Sequence, residues 1–319
     1  MTKYILDEQD KIIIKHLQND GRKSYKDIAD EIGVSNVSVH NRFKKLIKEN
    51  VLHIIGWANP ENLSLNCHAL VLLDIRTSKH LDNAIKSLSK LEWVDMLTIT
   101  AGKYILEVEL LCRDNEHLFE VVDEHINNLE GINDSHVTTF LEVYLDTESY
   151  LPEWRIPAFR SIDKSNKDLM KLDETNLKLV KQIQEDGRKS FKDIAKALNV
   201  SVNTVRTRYQ VLEDEDVIDI YGWVQPQILG FGTYCRILIF LSSIKHLKQV
   251  VLELAKIDKV RFIASSSEKH HLEITMMCKD NLHLQQVRIN EIHGIEGVVE
   301  TEVILYLKVL VHNGNDVRI

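Results

Sequence analysis

Proline, disulfide-type cysteine patterns and long apolar runs are all scarce in this chain, and each scarcity excludes something. Two of the four prolines, Pro152 and Pro157, fall in a single stretch, which can be neither a helix nor a central strand. The other two, Pro60 and Pro226, stand at matching places further out and mark exits from whatever precedes them. The four cysteines, Cys67, Cys112, Cys235 and Cys278, show no CxxC pairing and sit in apolar, strand-like runs. They read as reduced core residues, and no metal or cofactor is expected of them. No apolar run reaches membrane-spanning length, and Met1 to Asp7 lacks the apolar region of a signal peptide, so a cytoplasmic protein with no membrane contact is expected. The net charge of -8 argues against nonspecific coating of nucleic acid, but it leaves room for a local basic patch that reads DNA.

What is present is a repeat. Leu6-Asp7-Glu8 recurs as Leu172-Asp173-Glu174, and the run from Asp20 to Ala29 recurs from Asp186 to Ala195. The same offset of 166 carries Gly56-Trp57 to Gly222-Trp223, Pro60 to Pro226 and Gly131 to Gly297, without a gap. The period is far longer than that of a stacking solenoid, so this is a tandem duplication of one two-domain unit.

Each copy opens with a helix-turn-helix signature. Leu6, Ile13, Ile14 and Leu17 form a helical stripe, with Gly21 at a C-cap position. Ser24 caps a second helix carrying Ile28, Ala29 and Ile32, Gly33 supplies a left-handed turn, and Ser35 caps a third whose apolar face is Val39, Phe43, Leu46 and Ile47. Asn36, Ser38, His40, Asn41, Lys44 and Lys45 are left largely outward. Amides, hydroxyls and ammonium groups of this kind match the acceptors and donors of base edges and phosphates. Plain packing explains such a face as well, but the β-like stretch from Val51 to Trp57 behind it completes a winged head. Beyond Pro60 the pattern changes to strand, helix, strand, strand, helix, strand, the βαββαβ order of a ferredoxin-like sandwich.

The expected fold is therefore α+β, with two copies of a winged helix-turn-helix head followed by a ferredoxin-like domain. The boundaries are head 1–60, sandwich 61–146, linker 147–168, head 169–226 and sandwich 227–319. Tyr150, Leu151, Trp154, Ile156 and Phe159 make the linker too apolar for a free tether. The sandwich's open sheet face calls for a second sheet, a pairing that duplication can supply within the chain.

Leu6-Asp7, the run Asp20-Gly21-Arg22-Lys23-Ser24, Ile28-Ala29, Gly33-Val34-Ser35, Arg42, Gly56 and Gly131-Ile132, with their partners 166 positions on, resemble the Lrp/AsnC family of regulators. The resemblance covers nearly the whole chain, and it departs from the family in being tandem. It implies double-stranded DNA as partner, homo-oligomers built through the ferredoxin-like domains, and a small-molecule effector. It also implies DNA contact by Arg22, Lys23, Ser24, Asn36, Ser38, His40, Asn41, Arg42, Lys44 and Lys45, and in the second copy by Arg188, Lys189, Asn203, Thr204, Arg206, Thr207 and Arg208. Arg42 and Arg208 could touch phosphate or pair with an acid inside the head, and the first reading is preferred here. The reading helices differ in charge, +3 over residues 36–50 and -2 over 202–216, so the second head should bind DNA less strongly. The family's effector site, at a Gly-x-Tyr-Asp turn, maps to Thr100, Gly102 and Tyr104, with Ile105 where the acid belongs. His270 and His271, adjacent in a strand, would point to opposite faces and could not chelate one ion together. Siroheme decarboxylases also resemble paired Lrp/AsnC units and supply the alternative, an enzyme. The intact Gly-Arg-Lys-Ser runs and the basic first reading helix favour the regulator, and the chain lacks a Tyr-Asn-Leu-Trp-like strand associated with the decarboxylases.

Overall fold

The computed structural model describes residues 4–146 and 169–317, so the expected linker lies outside the described residues. The first copy runs α1 (Glu8–Asn19), α2 (Tyr25–Ile32), α3 (Asn36–Lys48), β1 (Leu52–Ala58), β2 (Cys67–Ile75), α4 (Ser78–Leu88), β3 (Val94–Ala101), β4 (Leu106–Cys112), α5 (Asn115–Val121) and β5 (Ile132–Asp146). The second runs α6 (Glu174–Glu185), α7 (Phe191–Leu198), α8 (Val202–Asp214), β6 (Ile218–Val224), β7 (Thr233–Leu241), α9 (Leu247–Leu254), β8 (Val260–Ser266), β9 (Leu272–Cys278), α10 (Asn281–Val287) and β10 (Val298–His312), followed by the short β11 (Asn315–Asp316). These elements form two compact units, and each unit draws on both copies: residues 4–65 with 169–228 make one, and 66–146 with 229–317 the other.

In the first unit local chemistry sets the helix ends. Asp7 caps α1 in a reciprocal box with Asp10. The Ser24 hydroxyl accepts from Asp27 N–H, and the Ser35 hydroxyl accepts from Ser38 N–H. Gly33 takes the left-handed conformation at φ 68°, and its counterpart Asn199 does so at φ 55°. Gly21 departs from its expected role. The helix ends instead at Asp20 in extended conformation (φ -152°), and the Gly21 N–H donates to the Ile220 carbonyl at 2.6 Å. A Cβ there would meet Ile220 at 2.8 Å, so this glycine serves close approach. The strand behind each helix-turn-helix also does not fold back on its own head. β1 pairs antiparallel with β6, from Leu52↔Val224 to Ala58↔Ile218, tying the two heads by one ribbon.

In the second unit the strands run β10-β3-β4-β2-β5-β8-β9-β7, and β7 pairs back with β10, so the sheet closes into an eight-stranded barrel with β11 outside it. Two four-stranded ferredoxin-like sheets thus cover each other's edges within one chain, through β5–β8 and β3–β10. Residues alternate faces along each strand. Ala69, Val71 and Leu73 pack outward with Ala84, Leu88, Leu118 and Val121 of α4 and α5, and Ile237, Ile239, Val250 and Leu284 do the same in the second copy. The opposite face of β2 and its partners lines the barrel, where Leu70, Phe140 and Ala264 form a small apolar plug. No helix among the described residues is long and apolar enough to cross a membrane.

Candidate nucleic-acid interface and the barrel interior

The helix-turn-helix geometry exposes one face of α3. Val39 and Leu46 are buried, while Asn36, Asn41, Lys44, Lys45 and Lys48 are exposed and Ser38 and His40 are half-buried. His40 packs against the Tyr25 ring with centroids 5.2 Å apart, and Lys45 lies over the Tyr4 ring at 5.0 Å. On α8 the exposed positions include Asn203, Arg206, Thr207 and Gln210. Thr204 is half-buried, its hydroxyl 2.8 Å from Ser201 Oγ in the cap. Gln210 donates to Glu213 and Asp214, members of the acidic run that ends this helix. Negative charge there opposes the helix dipole and would repel phosphate.

The arginines expected on DNA are engaged elsewhere. Arg22 donates to the carbonyls of Gly187 at 2.8 Å and Lys189 at 2.7 Å, with its guanidinium 4.5 Å above the Phe191 ring. Arg188 reciprocates, donating to the Lys23 carbonyl at 3.0 Å and lying 4.5 Å above the Tyr25 ring. The pair cross-bolts the heads, and burial holds both below the usual arginine pKa. Arg42 donates to Asp7 at 2.7 Å and to Asp10 at 2.9 Å; Arg208 donates to Asp173 at 2.8 Å and to Asn176 at 2.6 Å. Both therefore bind back onto the capped start of the first helix of their own head, the reading that was not preferred. Burial raises Asp7, but the Asp10 N–H and the Arg42 guanidinium outweigh it and hold the carboxyl below its ordinary range. Ser24 is occupied as a cap, Lys23 is half-buried, and Lys189 pairs with Glu185 at 3.6 Å.

At the β3–β4 turn, the Thr100 hydroxyl donates to the Tyr104 carbonyl at 2.7 Å, and Gly102 sits at φ 137°, where glycine is favoured. An acid is present although Ile105 is not one. Asp134 of β5 accepts from the Tyr104 hydroxyl at 3.1 Å and from Lys103 at 2.6 Å. His136, stacked 6.5 Å from Tyr104, pairs with Glu268 of the second copy at 2.9 Å. His270 and His271 lie in the turn before β9 rather than in a strand, and they engage different groups: His270 pairs with Glu273 at 2.7 Å, and His271 Nδ1 accepts from Leu241 N–H.

The barrel interior is polar in a way the alternating strands did not reveal. Arg236, 2% exposed, reaches Glu107 at 2.5 Å, Glu273 at 3.0 Å and the Tyr306 hydroxyl at 3.2 Å. Burial pushes Glu107 up to about 7 despite the guanidinium, whereas Glu273 is held low because Arg236 and His270 outweigh its burial. Beside this cluster lie His68, Asp95 and Glu109, on β2, β3 and β4. Asp95 is the extra residue of a β-bulge, since Val94 pairs with Leu110 and Met96 with Glu109. Burial pushes its carboxyl up to about 7, against the pull of His68.

Residues 6–47 match the AsnC-type helix-turn-helix domain, and residues 172–219 match a winged helix-turn-helix DNA-binding domain. The transcriptional regulator FL11 of Pyrococcus furiosus is 30% identical over 144 residues, 94% of its length and 45% of this chain. The chain belongs to the Lrp/AsnC family. Ptr1 of Methanocaldococcus jannaschii, named as a transcriptional regulator, is 31% identical over 145 residues, 96% of its length and 44% of this chain. Such an Lrp/AsnC relative therefore spans a single copy, and the second helix-turn-helix match confirms the tandem arrangement. In fold, 96% of the chain superposes on 93% of the siroheme decarboxylase NirDL at a TM-score of 0.60, with 15% identity.

Proposed function

We propose that the chain is a cytoplasmic transcription regulator that reads double-stranded DNA sequence-specifically with two unlike heads, the first supplying most of the affinity. The exposed face of α3 carries the reading: Asn36, Asn41, Lys44 and Lys45 remain available on it, whereas Arg22 and Arg42 are taken up inside the head unit. Arg206, Asn203 and Thr207 are what the second head offers. Ammonium groups of this kind neutralise phosphates and release counterions, so affinity should fall steeply with salt. The test is the slope of log affinity on log salt for wild type and the Lys44→Ala, Lys45→Ala variant. A loss of about 0.9 in slope for each abandoned phosphate contact supports the reading, and unchanged affinity and slope refute it.

The turn bearing Thr100, Gly102 and Tyr104 is the proposed effector site. Asp134 beside Tyr104 gives it the carboxylate that position 105 lacks, held there by Lys103, whose ammonium an incoming amino group would displace. Exposed Leu141 and Leu307, matched at the same offset, support further self-assembly through the ferredoxin-like domains. The alternative reading, an enzyme acting on a tetrapyrrole, rests on a fold likeness to NirDL at 15% identity, which carries the fold alone. NirDL itself has been captured with an iron-uroporphyrin III analogue. One cavity inside the present barrel, about 50 Å³, is smaller by roughly an order of magnitude than the 300–1,000 Å³ usual for drug-sized ligands. A change in the absorption spectrum of siroheme on adding the protein would favour the enzyme; its absence, with salt-sensitive DNA binding, favours the regulator.

A further inference from the structure

His68, Asp95 and Glu109 each offer one ligand atom, and these atoms all lie within 4.8 Å of one another. They are far apart in sequence, on three neighbouring strands, and the bulge in β3 carries Asp95 to the site. With Asp146, Arg261 and His312 they line a cavity of about 50 Å³ inside the barrel. We propose that this cavity binds one divalent transition-metal cation, Zn²⁺ or Mn²⁺, through His68 Nε2 and the carboxylates of Asp95 and Glu109, with Asp146 and His312 completing the shell.

Geometry and size agree on this ligand. Two donors about 2.1 Å from a metal at the tetrahedral angle stand about 3.4 Å apart. His68 Nε2 and Glu109 Oε2 are 3.4 Å apart, long for a hydrogen bond and suited to a shared ion. The cavity brings the carboxylates of Asp95, Glu109 and Asp146 together with His68, His312 and Arg261, and Arg236 stands behind Glu109, so the donors are a mixed imidazole and carboxylate set with positive neighbours. Its volume holds a cation and about two or three waters, too little for a metabolite. Imidazole and carboxylate without thiolate suit zinc, manganese or ferrous iron better than calcium or cuprous copper. Arg236, 3.8 Å from the other oxygen of Glu109, would orient that ligand from behind.

The repeat sharpens the stoichiometry. At the same offset, His68 corresponds to Tyr234, Asp95 to Arg261, and Glu109 to Thr275. The second copy cannot rebuild the ligand set, so the barrel holds one site per chain, not two.

The test uses the full chain stripped with EDTA and titrated calorimetrically with ZnCl2 and with MnCl2, and with MgCl2 as the hard-cation control. The expected result is one Zn²⁺ or Mn²⁺ per chain, reversed by EDTA, with a metal-dependent rise in thermal midpoint. Asp95→Asn should weaken binding by more than the 10- to 100-fold that loss of a mere supporting group costs. The same variant should keep or raise the metal-free midpoint, because a buried negative charge is gone. Should Asp95→Asn fail to fold, Glu109→Gln replaces it with the same expected loss of affinity. Two ions per chain, no binding, wild-type affinity in these variants, or binding abolished by His136→Ala instead would each overturn the proposal.

Discussion

The two copies agree where they join the heads and differ on the exposed helix faces and inside the barrel. Arg22 and Arg188 cross the same junction to mirrored carbonyls, and Arg42 and Arg208 tie down equivalent helix caps. Gly56 and Gly222 occupy matched places where a Cβ would collide with the opposite copy, at 2.1 Å from the Ile183 carbonyl oxygen in the first case. By contrast, His40, Asn41, Lys44 and Lys45 correspond to Arg206, Thr207, Gln210 and Val211, and inside the barrel Leu70 corresponds to Arg236. In a dimer of identical chains each interior residue faces its own copy, so an arginine at that position would appear twice. Fusion removes that constraint. One guanidinium can then serve the two repeat-related acids, Glu107 and Glu273, at once.

The largest effect expected from breaking this comparison comes from Arg236→Leu, which gives the second copy the residue of the first. It leaves Glu107 buried without a counterion and Glu273 with His270 alone, and should cost about 3–5 kcal/mol of stability, read by chemical denaturation. Moving the arginine instead, as Leu70→Arg with Arg236→Leu, should recover part of that loss. The relocated guanidinium meets the same two acids, but it finds Phe140 where Tyr306 had offered a hydroxyl. No recovery would show that the interior is not related by the repeat in the way its strand pairing implies.

A smaller effect is expected from Arg22→Ala. Two charge-assisted hydrogen bonds and a ring contact disappear, about 2 kcal/mol in a half-buried setting. The salt slope of DNA binding should stay as in wild type. A fall in that slope by about 0.9 would return Arg22 to the phosphate backbone.

Much of this was legible in the residues. Ser24, Gly33 and Ser35 mark two helices and the turn between them because capping and left-handed backbone are local chemistry. The gapless repeat gave the domain order. The roles of Arg22 and Arg42 were not legible, because their partners, Gly187 and Asp7, come from the other copy or from an earlier helix. The barrel interior was hidden for a different reason. Along β4, Glu107 and Glu109 at alternate positions look the same whether that face meets water or the inside of a closed sheet. Closure depends on β3–β10 and β5–β8 pairings between distant segments, which no local pattern reports. For the same reason, nothing local in the sequence brings His68, Asp95 and Glu109 together.

Charge reversal tests most directly whether the first head dominates the reading of DNA. Charge is reversed on exposed positions only, Lys44→Glu with Lys45→Glu in one variant and Arg206→Glu with Gln210→Glu in the other, so that Arg42 and Arg208 keep their structural partners. Both variants are titrated against the same operator duplex at one salt concentration. A much greater loss of affinity is expected for the first variant than for the second. Equal losses, or a greater loss from the second, would contradict that dominance.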